Sequence, residues 1–120
     1  MKITGWDIGG AHIKAVKIDF LKKNSTTEQV YSPIWKNINN LKKSIKLIKN
    51  KLGKTNYHAI TMTAELADIF RDRVNGVKYI VNLSSKILGE KNIFFYSKKT
   101  FLKKKLAIKK TFELNSMNWH

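Results

Sequence analysis

A carboxylate and two adjacent glycines stand between two apolar stretches at the start of the chain, in Gly5-Trp6-Asp7-Ile8-Gly9-Gly10-Ala11-His12-Ile13-Lys14. No other stretch restricts the fold as much, because it spells a strand, a tight turn and a second strand. Lys2 to Ile8 is apolar-rich, and Ile13, Ala15, Ile18 and Phe20 carry an alternating pattern out of the turn, with no fixed partner at Lys17. Paired glycines admit positive φ and let backbone N–H groups come close to a ligand. A concave run of such N–H groups suits phosphate oxygens, and an Asp beside it can hold a hydrated Mg²⁺ that those oxygens share. The same letters also describe a plain hairpin with a strand-end carboxylate. Spacing alone leaves both readings open.

Beyond the hairpin, Asn24-Ser25-Thr26-Thr27 reads as a turn and Gln29-Val30-Tyr31-Ser32 as a short third strand ended by Pro33. Ile38, Leu41, Ile45, Ile48 and Leu52 recur at spacings of three and four with lysines between them, which predicts a helix. Asn37 is its candidate cap and Gly53 its stop. Tyr57 to Met62 is a fourth strand, continuous enough in apolar character for the middle of a sheet. Asp72 caps a second helix that buries Val77, Ile80, Val81, Ser84, Ile87 and Leu88 and ends at Gly89, and Ile93 to Tyr96 is a fifth strand. Phe101 to Ile108 is expected to be a short helix, and Phe112 to His120 the opening of another. The order β-β-β-α-β-α-β-α predicts an α/β fold with one mixed sheet flanked by helices. Ile3, Ile8, Val16, Ile18, Val30, Ile60, Val81 and Phe94 are the residues expected to face the two amphipathic helices.

A chain of 120 residues has room for one domain with a modest core. Asp7 interrupts the apolar region that a signal peptide would need, and no apolar run approaches the length of a membrane span, so a cytoplasmic protein without a membrane partner is expected. Cysteine is absent, which excludes disulfides and thiolate zinc sites. The net charge of +16 invites a nucleic-acid reading. Against it, Arg71 and Arg73 are the only arginines, and the bidentate fork of arginine is what phosphate and base recognition favours. The lysines are spread over helix faces and the C-terminal stretch without interleaved aromatics, as when an AT-rich genome drifts toward lysine codons. Weak, salt-sensitive adhesion to polyanions is expected, and no specific nucleic-acid partner.

Asp-x-Gly-Gly between two strands at the N-terminus resembles the first phosphate loop of the actin/sugar-kinase/Hsp70 superfamily, whose lobes have a ribonuclease-H-like fold. The longer string from Gly5 to Lys14 resembles one branch of it. That branch is the hydantoinase-like proteins of the tetrahydromethanopterin-linked one-carbon transfer pathway, related to the archaeal condensing enzyme of methanofuran biosynthesis. Thr61-Met62-Thr63-Ala64-Glu65-Leu66-Ala67-Asp68 is similar to the Met-Thr-Gly-Glu-Leu-x-Asp segment of that branch. Asn115-Ser116-Met117-Asn118-Trp119-His120 is similar to its Ala-Ser-Ala-Asn-Trp-His. The three matches lie in family order and span the chain.

The resemblance implies a single ribonuclease-H-like lobe over 1–110, with 111–120 opening a helical continuation toward a second, missing C-terminal lobe. It implies that Asp7 orients a metal or the attacking group, with Mg²⁺ as the cofactor, and that Gly9, Gly10 and Ala11 offer the N–H cradle. Ala11 stands where many superfamily kinases have Thr or Ser, which weakens an ATP-hydrolase reading more than a diphosphate-binding one. Lys14 is within reach of the loop as a mobile positive charge, and His12 alternates to the same face. Thr63 and Glu65 follow the fourth strand, at the end where open sheets with βαβ units place ligands, with Glu65 as a base or metal-sphere ligand. Asn118 matches a family position and is carried over as substrate-binding. The activity implied is condensation of an aminomethylfuran diphosphate with a phenolic acceptor, releasing pyrophosphate, in the making of a furan cofactor. An ATP-dependent phosphotransferase of the same superfamily, or a non-catalytic basic module, stands as the alternative.

Overall fold

The computed structural model describes residues 1–64, 72–96, 101, 102 and 104. Six strands form one sheet: β1 (Lys2–Ile8), β2 (His12–Asp19), β3 (Asn24–Tyr31), β4 (Tyr57–Met62), β5 (Ile93–Tyr96) and β6 (Phe101–Leu102). Their order across the sheet is β3-β2-β1-β4-β5-β6. The β1–β2, β2–β3 and β5–β6 pairs are antiparallel, whereas β4 runs parallel to both β1 and β5. Parallel neighbours need crossover connections. Helix α1 (Asn39–Leu52) lies between β3 and β4, and α2 (Arg73–Leu88) between β4 and β5.

Both helices begin and end where short-range chemistry directs. The Asn37 side-chain oxygen accepts from Asn39 N–H at 2.9 Å, and Asp72 accepts from Asn75 N–H at 2.8 Å, which satisfies N-terminal donors that have no partner inside the helix. Gly53 (φ 74°) and Gly89 (φ 100°) end the helices in the left-handed region that glycine enters without strain. Lys17, on β2, donates from Nζ to Leu52 O and so adds a cation at the C-terminus of α1. Leu41, Ile45 and Ile48 of α1 and Val77, Ile80 and Val81 of α2 are fully buried in one cluster with Ile8, Ile13, Ile60 and Phe95 of the sheet. Each buried side chain of this size contributes roughly 1.5–3 kcal/mol. Both helices therefore cover the same face.

Three expectations need correction. The turn after β2 lies at 20–23, and Asn24 to Thr27 is already strand. Asp19 makes the turn there, accepting from the N–H groups of Leu21 and Lys22 at 3.1 Å each, while Lys23 takes a left-handed φ of 56°. Those hydrogen bonds, Lys22's foremost, hold the Asp19 carboxyl below its ordinary range. Second, Phe101 and Leu102 form strand β6 rather than starting a helix, whereas Lys104 is helical; the rest of that expected helix, like Phe112 to His120, lies outside the described residues. Third, of the eight residues expected to face the helices, Val81 is on α2 itself and the other seven lie on both sides of the sheet. Ile8, Ile60 and Val81 are buried in the core, and Val30 packs on its edge. Ile3, Val16, Ile18 and Phe94 alternate with core residues of their strands and lie on the opposite face. Among the described residues, no element covers that face.

Candidate functional site

The register of the hairpin places Asp7 opposite Lys14 on β2 and, on its other side, opposite Thr61 of β4. All three lie on the face away from the helices, at the end where β1 turns and β4 finishes. The Asp7 carboxylate is exposed, yet partial burial pushes its pKa up, opposed by the charge of Lys14. Among the described residues, no hydrogen bond or ion pair within 4.0 Å engages Asp7 or the Lys14 ammonium, so both charges face outward without a fixed partner.

The loop from Gly9 to Ala11 is held from two sides. The Gly9 N–H donates to His12 O at 3.0 Å, closing the hairpin. The segment after β3 folds onto the loop, with Ser32 N–H donating to Ala11 O at 2.6 Å and Ile34 N–H to Gly10 O at 3.3 Å. A trans peptide points its C=O and N–H in opposite directions, so the Gly10 carbonyl turned toward Ile34 turns the Ala11 N–H away from it. Among the described residues, no backbone acceptor lies against the N–H groups of Gly10 or Ala11. Among the described residues the N–H groups of Gly10 and Ala11 are therefore free, while that of Gly9 is occupied.

The two glycines serve for different reasons, and positive φ is not one of them. A Cβ on Gly9 would stand 2.8 Å from the His12 carbonyl oxygen and 3.7 Å from Thr63 Oγ1. On Gly10 it would meet nothing within 4 Å. Gly9 is thus required by close backbone packing, whereas a Cβ at Gly10 would enter open space among the described residues.

The remaining candidates fall as follows. Thr63 is half-buried against the Gly9 turn, its N–H donating to Ile8 O at 2.9 Å, which brings the end of β4 beside the loop. His12 is exposed on the same face as Lys14 and packs its ring 5.4 Å from that of Tyr31. Glu65 and Asn118 lie outside the described residues. His58 has a structural partner: its Nδ1 accepts from Trp6 Nε1 at 3.0 Å on the helix-covered face, and burial lowers its pKa to about 4. Sequence reasoning passed over Gly5 and Thr61, which join Asp7 and Lys14 in lining a groove of about 350 Å³ on the open face. A glycine in a strand interior was the available signal for it. No three His, Asp or Glu side chains among the described residues gather into a metal site of their own. Nor is any described helix long and apolar enough to cross a membrane.

Fold and site define a mixed α/β domain whose N-terminal hairpin presents free backbone N–H groups beside a carboxylate and a lysine. No family model matches the chain. Over 118 residues, 98% of its length, it is 32% identical to (4-{4-[2-(gamma-L-glutamylamino)ethyl]phenoxymethyl}furan-2-yl)methanamine synthase of Methanocaldococcus jannaschii. The chain spans about a third of that relative's length, 34%. Among solved structures it resembles the PPX-GPPA enzyme of Aquifex aeolicus, with a TM-score of 0.46 and 15% identity, over 72% of this chain and 33% of that one.

Proposed function

We propose that this chain is the N-terminal part of an enzyme of furan-cofactor biosynthesis. In this reading it binds an aminomethylfuran diphosphate at the Gly10–Ala11 loop, for condensation with a phenolic acceptor and loss of pyrophosphate. The relative's name supports the chemistry, since it describes a furan-methanamine joined to a phenol through a phenoxymethyl ether. Making that ether from a furfuryl diphosphate requires negative charge to leave as pyrophosphate, which oriented N–H groups and a nearby cation stabilise. The observation that carries the reading is the pair of free N–H groups at Gly10 and Ala11, beside a Lys14 and an Asp7 that engage nothing else among the described residues.

The strand order β3-β2-β1-β4-β5, with β2 alone antiparallel to β1, is read here as a ribonuclease-H-like lobe of a two-lobed cytoplasmic protein, with the acceptor site shared with the second lobe. Mg²⁺ fits Asp7: this ion commonly keeps several waters and binds through one or two carboxylates together with substrate phosphates. Asp7 would hold it, and the ion would neutralise charge developing on the leaving diphosphate. Lys14 adds a second positive charge across the hairpin, and Thr63 and Glu65 belong to the same end of the sheet by their place after β4.

Calorimetric titration of the chain with pyrophosphate tests the loop directly. Binding is expected to depend on Mg²⁺ and to be lost in Asp7→Asn. Equal affinity with and without Mg²⁺, or in the variant, refutes the assignment. Tighter binding of Mg-ATP than of Mg-pyrophosphate would turn it toward a phosphotransferase.

A further inference from the structure

The groove beside Asp7 has a graded floor. Across the open face of the sheet, Lys14, Asp7 and Thr61 form one cross-strand row, and Val16, Gly5 and Ala59 form the next. The first row is polar, and the second is apolar and small at its centre. The groove lined by these six residues and Trp6 has a volume of about 350 Å³, within the roughly 300–1,000 Å³ range of small-molecule sites. Gly5 is not required by the fold: its φ is not positive, and a Cβ there would meet nothing within 4 Å. A glycine inside a strand weakens it relative to alanine and often marks close approach of a ligand or another backbone.

We propose that this channel is the subsite for the aromatic ring of the diphosphate substrate, with Gly5 and Ala59 as its floor and Val16 as its wall. The inference rests on the proposed diphosphate reading of the loop. A diphosphate held by the Gly10 and Ala11 N–H groups has Asp7 and Lys14 as its neighbours, and the carbon chain leaving it meets the apolar row next. A flat ring on a single methylene fits a floor whose two central residues carry no side chain or only a methyl. Selection for a ring-bearing diphosphate over pyrophosphate or a nucleotide would then lie in Gly5 and Ala59.

The test compares two stable probes on the full 120-residue chain in Mg²⁺: methylenebisphosphonate and its furan-3-ylmethyl ester. Burial of the ring is expected to make the ester bind about tenfold more tightly or better. Filling the floor with Gly5→Val or Ala59→Val, both suited to a strand, is expected to reduce that ratio to about twofold or less. An ester no tighter than the plain bisphosphonate on the wild-type chain overturns the ring subsite and leaves the loop reading standing. So does an unchanged ratio in both variants, including the case where they only lower the melting temperature because another part of the protein fills the channel. Failure of both probes to bind refutes the loop reading itself and the subsite with it.

Discussion

Replacing each loop glycine by alanine separates the structural role of the turn from its binding role. In Gly9→Ala the new methyl carbon would lie 2.8 Å from the His12 carbonyl oxygen, which is itself fixed by the 3.0 Å bond from Gly9 N–H. Both sides of the clash are backbone, so relief means opening the hairpin closure and weakening that hydrogen bond. Overpacking of this kind costs about 1–3 kcal/mol, and a lost backbone bond adds roughly 0.5–1.5 kcal/mol. A net loss of about 2 kcal/mol is expected. Gly10→Ala meets nothing within 4 Å and is not at positive φ. Its stability should lie between no change and a gain of about 1 kcal/mol from a stiffer unfolded chain. Its methyl group, however, occupies the space beside the free N–H groups, so affinity for Mg-pyrophosphate should fall about tenfold, equivalent to roughly 1.4 kcal/mol. Urea denaturation followed by circular dichroism gives the first quantity and titration calorimetry the second. Equal destabilisation by the two substitutions, or unweakened binding in Gly10→Ala, would refute the division of labour between the glycines.

Other perturbations test neighbouring parts of the argument. His58 has a folded pKa of about 4 against an ordinary 6.5, so the unfolded chain takes up its proton first. Its contribution to stability is complete above about pH 6.5 and is lost as the pH falls toward 4; denaturation midpoints across that window should fall in the wild type and flatten in His58→Gln. Asp7 has its pKa raised, chiefly by burial, so its ionised form opposes folding above that pKa. Asp7→Asn should therefore raise the melting temperature at pH 7 while abolishing Mg-dependent pyrophosphate binding, and a lowered melting temperature would contradict the desolvation argument. Ile60→Ala, at a fully buried site on the helix-covered face, should cost about 2–5 kcal/mol. Ile18→Ala, 40% exposed on the other face, should stay within about 1 kcal/mol; comparable losses would mean that the second face is packed as tightly as the first.

The helices and central strands were legible because their signals are local. The spacing from Leu41 to Leu52, the Asp72 cap and the glycines at 53 and 89 each act within a turn or two of chain, and each acts as its chemistry predicts. Composition alone misplaces the turn after β2. Asn-Ser-Thr-Thr has the letters of a turn, but threonine is β-branched and suits an edge strand, whereas Asp19, five residues before Asn24, has the side chain that makes one. The choice of sheet face was harder to read. Strand β2 has apolar residues on both faces, with Ile13 and Ala15 inward and Val16 and Ile18 outward, so hydrophobicity alone does not say which set meets the helices. Lys17 decides it in the structure, because its ammonium reaches the end of α1 and so assigns the odd-numbered residues to the helix side. That contact joins residues 35 apart, and no local pattern encodes it.

The site lay between these cases. Its residues were named from the sequence, but the relation between them follows from register, a property of the whole hairpin. Once Gly9 N–H bonds to His12 O, the pairs Ile8–Ile13 and Asp7–Lys14 are forced, and so is Gly5–Val16 two residues further back. Asp7 and Lys14 therefore face each other because the turn is as tight as it is. A one-residue shift of the closure would send one of the two charges to the helix-covered face. The crowding that makes Gly9 irreplaceable by alanine thus also specifies the cross-strand pair on which the proposed diphosphate site depends. The same register leaves the gap at Gly5 one row below the charges, where a ring attached to the diphosphate would reach it.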